Sequence, residues 1–233
     1  KINEIGFDNT IDSLIINLSK NKIKCLLIMV DKEGDLAHPD EKVRDNAVER
    51  HKKWVDAAYR LGSHSIRVNT NGTLVEDLWL EAAEDGLRKL ATYAATKNIN
   101  VIVENHGGFS SQPEKLMQVI NALNMPNSGT LPDFGNWCIK WDKKSKTCKL
   151  KYDDYYKGIK LMMPAAKAVS AKSNDFDENG NEIRIDYVKM LQIVKNAGYN
   201  GYIGIEYEGQ RLSELEGVIA TRDLLINAAK ELK

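Results

Sequence analysis

Three carboxylates in this chain stand where apolar, strand-like runs give way to glycine-bearing turns. Glu104 closes Val101-Ile102-Val103 and precedes Asn105-His106-Gly107-Gly108, and Glu206 closes Ile203-Gly204-Ile205 and precedes Tyr207-Glu208-Gly209. Asp133 follows Gly129-Thr130-Leu131-Pro132 and leads into Phe134-Gly135-Asn136. A carboxylate at the emerging end of a buried parallel strand is costly to desolvate unless it meets a metal, a substrate or a partner. Three such endings point to one metal-assisted active site, because strand C-termini of a barrel converge on one rim. The competing reading is a separate salt bridge or helix cap at each end.

The elements that would carry these side chains alternate regularly. Strand candidates are Asn3–Phe7, Cys25–Val30, Ser65–Asn69, Asn100–Glu104, Gly129–Phe134, Ala168–Lys172 and Tyr202–Tyr207, rich in Ile and Val and in several cases continuously apolar. Helical periodicity fills the gaps over Pro39–Leu61, Glu76–Lys97, Pro113–Leu123, Tyr155–Lys167, Asp186–Ala197 and Glu214–Leu232. Ser111-Gln112-Pro113-Glu114 has the pattern of a capping box, and Gly62 and Gly198 fall where helices must stop. This alternation predicts an α/β fold with a parallel sheet, in a single domain over residues 1–233. Seven strand–helix units suit either a doubly wound sheet or a TIM (β/α)8-type barrel. The lack of a Gly-x-Gly-x-x-Gly fingerprint favours the barrel. The chain opens at Lys1 on strand-like sequence, so loss of the first β/α unit would reconcile seven with eight.

Composition narrows the function. The 233 residues include 33 Lys+Arg and 33 Asp+Glu, for zero formal net charge, which argues against sequence-independent nucleic-acid binding. No apolar run reaches membrane-spanning length, so no membrane partner is expected. Cys25 sits in an apolar run and reads as a buried thiol. Cys138 and Cys148 bracket a polar stretch without metal-finger spacing. They read either as two unpaired thiols of a reducing, cytoplasmic compartment or as a disulfide closing an excursion loop of an exported protein.

Several segments together resemble the sugar phosphate isomerase/epimerase family of xylose isomerase-like TIM barrels: Ile102-Val103-Glu104-Asn105-His106-Gly107-Gly108, Leu131-Pro132-Asp133-Phe134-Gly135-Asn136, Val169-Ser170-Ala171-Lys172 and Gly204-Ile205-Glu206-Tyr207-Glu208-Gly209. The likeness extends to Leu27-Ile28-Met29-Val30-Asp31 and Ser65-Ile66-Arg67-Val68-Asn69. It implies a divalent metal held at the barrel mouth by Glu, Asp, His and Glu, with the two glutamates exchanging protons with substrate. Glu104, Asp133 and Glu206 match three ligands, whereas Ser170 stands where many relatives carry histidine, as does Asn136 three residues after the aspartate. An oxygen-rich site without imidazole favours Mg²⁺ or Mn²⁺ over Zn²⁺.

A divalent ion that polarises a carbonyl or hydroxyl acidifies the neighbouring C–H, which a glutamate can then deprotonate. Return of the proton to the same carbon gives epimerisation, return to the neighbouring carbon gives isomerisation, and loss of a β-oxygen substituent gives elimination. The expected activity is therefore a metal-dependent isomerase or epimerase acting on a sugar or sugar-like polyol. A lyase or hydro-lyase on a keto-sugar or inosose and a non-catalytic carbohydrate-binding barrel are the alternatives. Substrate-binding candidates are His106, Lys172, Arg67, Asn69 and Asn136, each with a structural alternative such as an ion pair or a strand-end hydrogen bond. Trp137 reads as core packing before a sugar platform, and His38, His51 and His64 as surface or packing residues. With four histidines the chain does not match the histidine-rich trinuclear zinc site of endonuclease IV, a barrel of the same type. Asp175-Phe176-Asp177-Glu178-Asn179-Gly180 resembles the start of a calcium loop, but Asn179-Gly180 between extended runs reads better as a hairpin turn. A small-molecule carbohydrate is the expected partner, with homo-oligomerisation left open.

Overall fold

A computed structural model describes residues 2–232. Among them the chain forms two compact units, residues 2–103 with 121–129 and residues 104–120 with 130–232.

The first unit is built on parallel strands β1 (Leu27–Val30), β2 (Ser65–Val68) and β3 (Asn100–Glu104), which leaves the unit at its last residue. Met29 pairs with Arg67 and Arg67 with Ile102, so the strands run in step. Helix α3 (Glu41–Leu61) follows β1 and α4 (Glu76–Ala95) follows β2. Asp40 caps α3 by accepting from the Lys42 and Val43 N–H groups, and Gly62, at φ 70°, ends it. Leu36, Val55, Ile66, Val68, Trp79, Leu87, Leu90 and Val101 form the buried interior. His51 lies in this core, its Nδ1 2.7 Å from the Ala47 carbonyl, and burial holds its pKa below the usual imidazole value. It is a packing residue.

The N-terminal segment corrects the sequence reading. The expected strand Asn3–Phe7 is helical: α1 covers Ile2–Ile5 and α2 covers Phe7–Asn21, separated by Gly6 at φ 83°. Phe7, Ile11, Leu14, Ile15 and Leu18 recur at three- and four-residue spacing, a helical period that outweighs the short apolar run before it. Six strand–helix units, rather than seven, remain among the described residues.

In the second unit, strands β7 (Val169–Ser173) and β8 (Ile203–Tyr207) are parallel, with Lys172 paired to Glu206 and Ser170 to Gly204. Thr130 of β4 (Ser128–Leu131) is bridged in parallel to Ala166, just before β7, and Asp133, just after β4, is bridged in parallel to Ser170 of β7. Helices α5 (Pro113–Leu123), α6 (Tyr155–Met162), α7 (Tyr187–Asn196) and α8 (Glu214–Lys230) follow their strands in turn. Val169 and Ala171 point one way along β7, into a core with Phe134, Trp137, Ile159, Tyr187, Met190 and Leu191. The alternation of a strand therefore sends Ser170 and Lys172 to the opposite face.

Three further expectations change in detail. Ser111 does not cap α5; its hydroxyl accepts from the Gly107 N–H and donates to the Asn136 carbonyl, both at 2.8 Å. A capping box does form at the start of α8, between Ser213 and Glu216. The polar stretch after Trp137 is an antiparallel hairpin, β5 (Cys138–Asp142) with β6 (Thr147–Lys151), and Cys138 and Cys148 are joined by a disulfide rather than left as thiols. Cys25 is free but only half-buried. The Asn179-Gly180 turn forms as read, with Phe176 bridged antiparallel to Glu182. Asp177 there accepts from the backbone N–H groups of Asn179 and Asn181, and buried Glu182 from those of Arg184 and Ile185. These carboxylates serve the turn.

One close approach in the first unit yields a test. Gly86 of α4 lies so near the backbone that an added Cβ would sit 2.1 Å from the Leu36 carbonyl oxygen. Gly86→Ala forces apart two buried segments and should destabilise the protein by about 1–3 kcal/mol despite alanine's better helix propensity. Thermal unfolding checks this, and an unchanged or raised melting temperature would contradict the packing described.

Candidate metal and acid–base site

Strand register assembles the site. On β7 and β8, the residues facing away from the core include Ser170, Lys172 and Glu206, and the Lys172–Glu206 pair lies directly across the ladder. The parallel bridge to Ser170 brings Asp133 alongside, and Glu104 begins the second unit as β3 ends. Glu104, Asp133 and Glu206 each offer a carboxylate oxygen, and these three atoms lie within 4.8 Å of one another. Glu104 is 1% exposed and Asp133 fully buried, whereas the Glu206 side chain is 34% exposed, so Glu206 is the member of the cluster that meets solvent.

Polar neighbours fix the orientation of each carboxylate. Asn105 clamps the Asp133 backbone, its Oδ1 accepting from the Asp133 N–H at 2.7 Å and its Nδ2 donating to the Asp133 carbonyl at 2.9 Å. Asp133 Oδ1 accepts from the Gly135 and Asn136 N–H groups, both at 2.9 Å. Asn136 Nδ2 donates to Glu104 Oε1 at 2.7 Å, while its Oδ1 accepts from Lys172 Nζ at 2.9 Å. The Ser170 hydroxyl donates to Glu206 Oε2 at 3.3 Å.

Lys172 is 3% exposed and its Nζ ion-pairs with Glu206 Oε1 at 3.1 Å and Glu208 Oε2 at 3.0 Å. Burial works against its charge, but the fields of Asp133, Glu206 and Glu208 prevail and hold its pKa above the usual lysine value. Its aliphatic stem passes Gly135 so closely that a Cβ there would stand 2.9 Å from Lys172 Cγ and Cδ. Tyr187 donates to the Lys172 carbonyl at 2.9 Å, which ties the strand to α7.

One ammonium does not balance this group of acids. Burial is the main force pushing the Asp133 carboxyl up to about 7, with the Glu206 charge adding to it; Lys172, Ser170 and the Gly135 N–H oppose the rise. Asp133 Oδ2 is buried and has no hydrogen-bond partner among the described residues. A buried carboxylate oxygen in that state is satisfied by a cation or a proton. The donor set fits a hard divalent ion: three carboxylates, no imidazole and no thiolate. Glu41, Asp45 and Asp85 form a second acidic cluster, but Lys89 reaches all three at 2.7–3.2 Å and Arg44 also holds Asp85, so that group is a surface salt-bridge network.

The other residues singled out by sequence fall differently. Arg67 and Asn69 belong to the first unit, where both donate to Asp31 Oδ1, at 2.5 and 3.0 Å. His106 is exposed in the turn after Glu104, and its backbone N–H donates to the Ser110 hydroxyl at 3.1 Å. Trp137 is buried, donates through Nε1 to the Phe134 carbonyl at 2.7 Å and stacks on Tyr155 with ring centroids 5.4 Å apart. Two contributors escaped the sequence reading. Glu208 could have been found from its position two residues after Glu206, on the same face, whereas Asn105 gives no sign in the sequence that its side chain grips the Asp133 segment.

The fold has well-defined relatives. A D-tagatose 3-epimerase-like protein has a similar structure at TM-score 0.73 and 19% identity, over 95% of this chain and 83% of that one. A xylose isomerase-like TIM barrel protein from Mycobacterium smegmatis, solved in complex with magnesium, aligns at TM-score 0.70 and 16% identity over 97% of this chain and 80% of its own. A short segment is 39% identical over 54 residues to the C-glycoside deglycosidase alpha subunit of Arthrobacter globiformis, covering 23% of this chain and 15% of that protein. The xylose isomerase-like TIM barrel family matches residues 7–228, nearly the whole described chain. With its parallel strand–helix alternation and its acidic strand ends, the chain belongs to the xylose isomerase-like TIM barrel family.

Proposed function

We propose that this protein is a metal-dependent isomerase or epimerase that moves a proton next to a carbonyl of a sugar or sugar-like polyol. The observation that carries the reading is the convergence of Glu104, Asp133 and Glu206 within 4.8 Å, with Asp133 Oδ2 buried and unpartnered. These three would hold the ion, Mg²⁺ or Mn²⁺ on the chemistry of the donors. Bound there, the ion would supply Lewis-acid polarisation of a substrate oxygen.

The chain's own side chains account for the rest. Glu206 is the most accessible carboxylate of the three, which supports its assignment as the group that takes a proton from a carbon. Glu104, fixed by Asn136, is the candidate for returning one. Lys172, held charged by its acidic neighbours, offers a donor toward negative charge developing on substrate oxygen. Asn136 joins Glu104 to Lys172 and so couples the positions of acid and cation. His106 lies exposed in the adjoining turn, where it can meet substrate hydroxyls.

The local likeness to a deglycosidase subunit favours elimination as a second reading. There the same proton removal expels a β-oxygen substituent, so a released alcohol and a product lighter by that amount distinguish it from isomerisation, whose product keeps the full substrate mass. The Cys138–Cys148 disulfide supports an oxidising, exported location, and no helix among the described residues is long and apolar enough to cross a membrane.

Three outcomes are expected. Asp133→Asn keeps an oxygen for the Gly135 and Asn136 N–H groups but removes the charge; calorimetric titration with Mn²⁺ should show affinity falling by more than about 100-fold, beyond the effect typical of outer partners. Glu206→Gln should slow substrate-dependent exchange of a C–H proton with deuterated solvent by about 100-fold or more, and unchanged turnover would remove Glu206 from its role. Thiol titration of the unfolded, unreduced protein should find Cys25 alone; three reactive thiols would contradict the disulfide and the exported location.

A further inference from the structure

The disulfide-closed hairpin has no part in the chemistry so far, yet it forms one wall of a cavity of about 470 Å³ beside the site. That volume suits a small-molecule pocket. Lys172 and Glu208 line it from the site, Trp141, Lys146 and Lys151 from the hairpin, and Arg184 from the segment before α7. Four cationic side chains thus share the cavity with one carboxylate, Glu208, which Lys172 already holds. The side chains of Lys146, Lys151 and Arg184 form no ion pair among the described residues. In a chain of zero net charge, this is a local concentration of positive charge rather than a general basicity. Trp141, 58% exposed on the hairpin, adds a large aromatic face to the same wall. An exposed tryptophan beside unpaired cations suits a ligand that combines a ring with an oxyanion.

We propose that this cavity is a second subsite that selects substrates carrying an anionic group, a carboxylate or a phosphate, beyond the carbons that react. The ring of that portion packs against Trp141, and the oxyanion is held by Lys146, Lys151 and Arg184. Lys172 lines this cavity and also pairs with Glu206, so it joins the subsite to the proton-transfer centre. The disulfide ties both hairpin strands together, which keeps this wall in place. The substrate class rests on the proposed proton-transfer reading, but the anion subsite has its own readout.

Direct binding tests it, with D-glucuronate, glucose 6-phosphate and neutral D-glucose as probes, measured by calorimetry at low ionic strength on the whole chain. At least one anionic probe should bind roughly tenfold or more tighter than glucose, and the advantage should shrink as salt rises. Whichever anion binds tighter identifies carboxylate or phosphate as the group selected. Lys151→Ala with Arg184→Ala should abolish the advantage, while Lys143→Ala, on the same hairpin but outside the cavity, should preserve it. Equal binding of charged and neutral probes would overturn the proposal, as would an advantage that survives loss of Lys151 and Arg184. Because binding is read without turnover, absence of C–H exchange would count against the proposed reaction and not against the subsite.

Discussion

Negative charge confined where strands end is the constraint around which the second unit is organised. Glu104 and Asp133 are almost wholly removed from water, and Glu206 and Glu208 stand close by. A carboxylate in that position survives only where donors or cations answer it. The chain answers with the Asn105 clamp, two backbone N–H groups on Asp133 Oδ1, the Asn136 bridge and one buried ammonium. What remains unanswered is concentrated on Asp133, whose carboxyl burial drives up to about 7. The excess of acid over base distinguishes this cluster from the Lys89 network in the first unit, where a shared ammonium touches every carboxylate.

That electrostatic arrangement depends on register. Lys172 opposes Glu206 because β7 and β8 pair from Val169–Ile203 to Ser173–Tyr207 without a shift. A slip of one residue would turn Ser170 and Lys172 into the apolar core and bring Val169 and Ala171 out. The packing of Phe134, Tyr187 and Met190 against β7 therefore protects the site as well as the fold. Gly135 contributes by having no side chain, since the Lys172 stem occupies the space a Cβ would need. The hairpin that follows Trp137 extends the same unit outward and gives the site a wall of different chemistry, cationic and aromatic where the floor is acidic.

Much of this was legible in the chain because burial and periodicity leave strong marks. The runs ending at Glu104 and Glu206 are apolar on both faces, so both read as buried strands and their terminal acids stood out; the first is buried, whereas the second is only half-buried. Long helices such as Glu41–Leu61 and Glu76–Ala95 were equally plain from their repeated apolar spacing. The segment Asn3–Phe7 misled because five residues are too few to separate a strand from the start of a helix, and the period of α2 only emerges beyond Phe7. Ser111 had the composition of a cap, but its hydroxyl bonds the Gly107 and Asn136 backbone, a tertiary arrangement that local pattern does not encode. The cysteine pairing was undetermined for the same reason: a polar stretch between two cysteines closes only if it folds as a hairpin, and the cross-strand pairing of Cys138–Asp142 with Thr147–Lys151 supplies that.

The account stands or falls on whether a cation completes those acids, and location rather than affinity is the most direct evidence. Anomalous diffraction from crystals grown with Mn²⁺ should place one strong peak within coordination distance, about 2.1–2.3 Å, of oxygens from Glu104, Asp133 and Glu206. Manganese bound elsewhere, or a lattice saturated with the ion in which Lys172 alone answers these carboxylates, would contradict it.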